Sequence, residues 1–128
     1  MLLALPFSLG QEDARSNYNN ALCMACKNGH VKVVEVLVAP PFSLGQDDAR
    51  ADNNIALRWA CKNGRADIVR LLAAPPFSLV QEDARTMDNY ALRMACTNGR
   101  AEVAMMLRAP PFSLGPDDAA SVATGIPN

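Results

Sequence analysis

The sequence holds one histidine, one tryptophan and two tyrosines in 128 residues, and it has no surplus of basic charge. A formal net charge of −1 argues against nucleic acid or an anionic membrane as the main partner, because both select a basic footprint. No run approaches the roughly 18 apolar residues that a membrane-spanning helix needs. The opening MLLALPFS has no basic n-region and meets Pro6 too early for a secretory signal. Phosphate-binding glycine loops, nucleophile elbows and calcium loops are all missing. Four cysteines in a chain of this size do not make a disulfide framework. These absences predict an intracellular, cytoplasmic protein without cofactor, metal or catalytic activity.

What is present is repetition. Pro6, Pro41, Pro76 and Pro111 fall 35 residues apart, as do Asn28, Asn63 and Asn98. A fixed period in this range marks a stacked repeat array. PPFSLGQDDAR at residues 40–50 returns, with few changes, from Pro75 and Pro110, and PFSLGQEDAR begins at Pro6. Three complete units are expected at about 20–54, 55–89 and 90–124, with a partial unit at 1–19. Leu2 aligns with Leu37, Leu72 and Leu107, so the chain is expected to begin inside a second helix and to end where a fourth first helix would start. That reading makes it a piece of a longer array.

Each unit parses into two short helices. In the second unit, Ala56, Leu57, Ala60 and Cys61 share a helical face, Asn54 or a neighbour caps the start, and Asn63-Gly64 ends the helix. A second helix from Ala66 to Ala73 carries Ile68, Val69, Leu71 and Leu72, and Pro75-Pro76 stops it. Helices of two or three turns are not stable alone, so stability must come from stacking unit on unit.

The stretch ALRWACKNGRADIVRLLA resembles the helix-turn-helix of the ankyrin repeat, and units starting at Ala21, Ala56 and Ala91 all match it. The resemblance implies an all-α, ankyrin-like solenoid. Two features depart from it. The family's Thr-Pro-Leu-His opening is replaced by NALC, IALR and YALR, and the period is 35 rather than 33. The extra length falls in the 18-residue connection from Ala73 to Tyr90. Phe77 and Leu79, two apart, are expected to point to one side of an extended piece, with Phe7, Phe42, Phe77 and Phe112 forming a buried ladder. Pro116 and the acids after it read as a helix start, so a short third helical piece is expected in each connection.

The groups that could carry chemistry have plainer readings. Cys26, Cys61 and Cys96 sit at a small-residue position that packs neighbouring helices, where cysteine acts as a small hydrophobe. Cys23 makes a C-x-x-C pair with Cys26, but Arg58 and Arg93 replace it in the other units. His30 is matched by Arg65 and Arg100 and reads as loop structure. The acids Glu12-Asp13, Asp47-Asp48, Glu82-Asp83 and Asp117-Asp118 read as first-turn helix stabilisers rather than paired catalytic carboxylates. Trp59, aligned with Met24 and Met94, reads as a packing residue.

Variation gathers where Asn17, Tyr18 and Asn20 align with Asp52, Asn53 and Ile55 and with Met87, Asp88 and Tyr90; Arg58 and Arg93 face Cys23 in the same way. Neutral drift at exposed positions accounts for such variation. The ankyrin resemblance offers another account, because in that family these positions form the concave recognition surface. On that account Asn17, Tyr18, Asn20, Asp52, Asn53, Ile55, Arg58, Met87, Asp88, Tyr90 and Arg93 contact an unidentified protein partner. The alternative is a structural spacer that forms homo-oligomers through its uncapped ends.

Overall fold

The structure, a computed structural model, describes residues 10–116 and residue 118. Among them run nine helices: α1 (Gln11–Ala14), α2 (Ser16–Asn28), α3 (Val31–Val38), α4 (Gln46–Ala49), α5 (Ala51–Lys62), α6 (Ala66–Ala73), α7 (Gln81–Ala84), α8 (Thr86–Thr97) and α9 (Ala101–Arg108). They recur in threes of short, long and medium helix, each three counted below as one structural unit that begins at its short helix, and no strand occurs among the described residues. The stacking follows the repeat: α2 packs on α5, α5 on α8, and α6 on α9. The fold is an all-α ankyrin-like solenoid.

The core is the repeated apolar stripe. Leu22, Leu57 and Leu92 from the first helices are fully buried, as are Leu72 and Leu107 from the second. Each first helix ends on glycine for a steric reason. Gly64 has φ 71°, a left-handed conformation that a side chain resists, and Arg65 N–H donates back to the Ala60 carbonyl at 2.8 Å. A Cβ at Gly64 would also stand 2.7 Å from Cδ of Arg100, whose Nε donates to the Lys62 carbonyl at 3.2 Å. Arg65 does the same to the Lys27 carbonyl at 3.1 Å, so each arginine closes the first helix of the unit before it.

The connecting loop is folded, but not as the spacing of Phe and Leu implies. Ser43, Ser78 and Ser113 have φ of 51°, 50° and 50°, so PFSL is a tight left-handed turn rather than an extended piece. The reason is the end of the preceding helix, whose carbonyls need donors. Ser78 N–H donates to the Ala74 carbonyl at 2.9 Å and Leu79 N–H to that of Leu72 at 3.0 Å, which curls the chain back over α6. Phe77, Phe112, Leu44, Leu79 and Leu114 are nonetheless buried, while Phe42 is half-buried. Phe7 lies outside the described residues.

The short third helical piece is present as α1, α4 and α7. Its second acid caps it: Asp48 Oδ2 accepts from Gly45 N–H at 2.9 Å, and Asp83 Oδ2 from Val80 N–H at 2.8 Å. The same carboxylates hold the units together. Arg15 forks onto Asp48 at 2.6 and 3.1 Å, Arg50 onto Asp83 at 2.8 and 3.1 Å, and Arg85 onto Asp118 at 3.0 and 3.2 Å. Beside each fork a glutamine reaches the next loop, with Gln46 Nε2 donating to the Ser78 carbonyl at 3.1 Å and Gln81 Nε2 to that of Ser113 at 2.9 Å. Asn54 Nδ2 donates to Asp83 Oδ1 at 3.1 Å, and Asn19 and Asn89 bond Asp48 and Asp118 in the same way. Asn54 therefore ties one unit to the next instead of capping its own helix.

Burial pushes the Asp48 carboxyl up, but the Arg15 hydrogen bond, the Gly45 N–H, the charge of Arg15 and the Asn19 bond together hold it below the usual carboxylate range. At Asp118 the Arg85 hydrogen bond is the largest influence and outweighs burial, so that carboxyl is lowered too. A carboxyl lowered on folding stabilises the native state above its unfolded value, about 3.9, and that contribution is lost as pH falls through the folded value. Thermal or denaturant midpoints should therefore stay level from about pH 7 to pH 5 and fall steeply below about pH 4. A midpoint that rises on acidification would contradict the assignment.

Candidate functional site

Between each short helix and the following first helix the chain turns the wrong way. Asp52, Asn53 and Asn54 have φ of 54°, 57° and 58°, and Met87, Asp88 and Asn89 repeat this at 57°, 57° and 59°. In the first unit Asn17 and Asn19 have φ of 57° and 62°. Asparagine and aspartate tolerate this region, which explains the run of Asx residues, whereas Met87 adopts it at a cost. The right-handed part of each first helix thus starts at the residue after the turn, and the turn projects the residues before it.

A left-handed turn aims its carbonyls away from the right-handed helix that follows. Arg58 answers this with its guanidinium fork: Nε donates to the Asn53 carbonyl at 2.8 Å and Nη2 to that of Asp52 at 3.1 Å. Arg93 treats Asp88 and Met87 identically, at 2.8 and 3.2 Å. The ring of Tyr90 lies between them, its centroid 5.1 Å from Cζ of Arg58 and 5.8 Å from that of Arg93. Arg58 is only 8% exposed, so its fork and stem hold the face from beneath.

The other variable residues lie around these turns. Asn17, Asn20, Asp52, Asn53, Met87 and Asp88 are exposed, Ile55, Tyr90 and Arg93 are half-buried, and the side chain of Tyr18 lies outside the described residues. A cavity of about 110 Å³ opens between the first and second units, lined by Asn17, Asn20, Cys23, Asp52, Ile55 and Trp59. Trp59, read from the sequence as packing only, packs against the core and also lines this cavity, with Lys27 Nζ 5.0 Å from its ring centroid. A tryptophan aligned with two methionines was the one available signal.

Cys26 and Cys61 are fully buried and Cys96 half-buried, and Cys23, Cys26, Cys61 and Cys96 form no disulfide. Burial pushes the Cys26 thiol up to about 12 and the Cys61 thiol higher still. Cys23 is raised to about 11, first by burial and then by the charge of Asp52, against a smaller opposing influence of Arg58. Thiolate is the reactive form, so at pH 8 a thiol reagent should label Cys23, Cys26 and Cys61 at least roughly a hundredfold more slowly in the folded protein than after unfolding. Equal rates in the two states would show these packing positions to be wrong. His30 stands exposed ahead of α3, at the position where Arg65 and Arg100 act in later units.

Among the described residues, no helix is long and apolar enough to cross a membrane, and no group of three or more His, Cys, Asp and Glu side chains is placed to hold a metal ion. Comparison with curated proteins gives no match, and comparison with solved structures gives none. A family model described as Ankyrin repeats (3 copies) matches residues 2–83. Such repeats are generally protein–protein interaction modules, and the family is typically non-enzymatic. With that match covering more than half of the sequence and the helix-turn-helix units stacked in register, this chain belongs to the ankyrin repeat family.

Proposed function

We propose that this protein is a non-enzymatic recognition module that binds a protein partner on the face formed by the left-handed turns and the first helices. The observation that carries this reading is the contrast between frame and face. The residues that join units hardly change: the Arg–Asp forks, the Gln-to-loop bonds, the Asn ties and the Asn-Gly turns repeat throughout. The exposed residues on the turns differ in every unit, and in the second and third units they stand on a base clamped by Arg58 and Arg93. Binding residues held on rigid elements lose little freedom on association. Asn17, Tyr18, Asn20, Asp52, Asn53, Ile55, Met87, Asp88 and Tyr90 form the contact set, with Arg58 and Arg93 positioning it.

The spacer reading is less well supported. Head-to-tail stacking of copies through the inter-unit ladder requires donors in the fourth copy of the motif, but Pro116 and Ala120 stand where Gln81 and Arg85 would place them. A further unit stacked there would meet neither fork nor glutamine.

The triple variant Asn20→Ala, Asp52→Asn, Met87→Asn changes exposed groups while keeping residues that accept the left-handed turn. It should keep its helical signal and melting midpoint and lose at least tenfold in capture of its partner from source-cell extract. A control at the exposed Val36 and Met105 on second helices should capture normally. Unchanged capture by the folded triple variant would refute the assigned face.

A further inference from the structure

The two complete junctions between units differ in one respect that the repeat itself makes visible. In the second junction Arg58 lies on the turn carbonyls of its own unit and against Tyr90 of the next. Thirty-five residues earlier both partners are smaller, with Cys23 in place of the arginine and Ile55 in place of the tyrosine. The turn geometry is kept, as Asn17 and Asn19 have the φ values of their counterparts. The volume lost by the two replacements appears as the cavity of about 110 Å³.

We propose that this cavity is the seat of an arginine side chain from the protein partner, entering where Arg58 and Arg93 sit in the other two units. This deepens the recognition function proposed above and rests on it. The fold itself shows the occupant: twice in three units a guanidinium fills this position, donating to the carbonyls of a left-handed turn. The charges agree. The acid on the cavity wall is Asp52, and its counterpart at the junction already filled by Arg58 is Met87. Where the chain supplies its own cation the neighbouring unit offers a thioether, and where it supplies none the neighbour offers a carboxylate. Asp52 is exposed, and at the cavity wall its charge raises the Cys23 thiol more than the charge of Arg58 lowers it. Asn17 and Asn20 add polar groups, and Trp59 and Ile55 supply an aromatic and an apolar wall for the planar head and its stem. Lys27 lies over the Trp59 ring and is not among the lining residues.

The proposal can be tested without the natural partner. N-acetyl-arginine methylamide is titrated into the isotopically labelled chain, with the lysine and citrulline methylamides as comparisons. Saturable shifts at Cys23, Ile55 and the Trp59 indole N–H are expected for the arginine compound only. Asp52→Asn should weaken that binding about two- to five-fold. Cys23→Arg with Ile55→Tyr, which rebuilds the filled junction, should abolish it while the spectrum stays dispersed. No saturable shift with the arginine compound, or an equal response to citrulline or lysine, overturns the proposal. Capture by the triple variant, set beside the arginine titration, separates the two readings. If the triple variant of the previous section loses capture but the arginine compound does not bind, the face stands and the arginine seat is wrong. If the compound binds but the triple variant still captures, the assigned face is wrong.

Discussion

The structure depends on a carboxylate shared between two tasks. Asp48, Asp83 and Asp118 each accept the backbone N–H three residues before them and the guanidinium fork of the preceding unit, and at Asp48 and Asp83 the first of these closes a four-residue helix. A four-residue helix has no stability of its own, and a bare inter-unit ion pair at a surface contributes little. Combining them changes the balance. The carboxylates are about 95% buried, their lone pairs are taken by backbone, arginine and asparagine donors, and the arginines remain partly exposed to water. The desolvation that makes buried charge costly is thus met by a full set of hydrogen bonds.

That ladder has a direction. Arginine and glutamine of one unit give, and the aspartate and serine carbonyl of the next receive. Stacking through it fixes register at one unit per step, which places every left-handed turn at the same height on its first helix. The candidate face follows from that placement. Its exposed residues sit on turns of one repeated left-handed geometry, pinned in the second and third units by Arg58 and Arg93, so the variable chemistry is presented from a constant backbone.

Much of this was legible in the sequence. The 35-residue period gave the array, and Ala66 to Ala73 gave α6 with its bounds, because an apolar stripe ended by Pro75 leaves little choice. The acids of the loop motif were read as helix starters, but Asp48, Asp83 and Asp118 are also buried, and their second task could not be seen from spacing alone. A hint existed: the fourth copy changes Gln to Pro116 and Arg to Ala120 together, as two donors of one contact would. The reversed turns were not legible. Asx-rich segments permit left-handed residues without requiring three in succession, and Met87 argues against them; the arginine fork onto the turn carbonyls is no shared signal either, since the first unit turns the same way with Cys23 in its place. The cavity beside Cys23 was equally hidden, since it arises from the difference between two junctions and not from any motif.

The central claim is that the Arg–Asp forks couple neighbouring units. The most direct measurement is a double-mutant cycle on Arg50→Ala and Asp83→Ala, read by chemical denaturation. If the two residues act through one contact, the double variant should unfold at nearly the same denaturant concentration as Asp83→Ala alone. If the two losses simply add, the fork does not join the units and the account is contradicted.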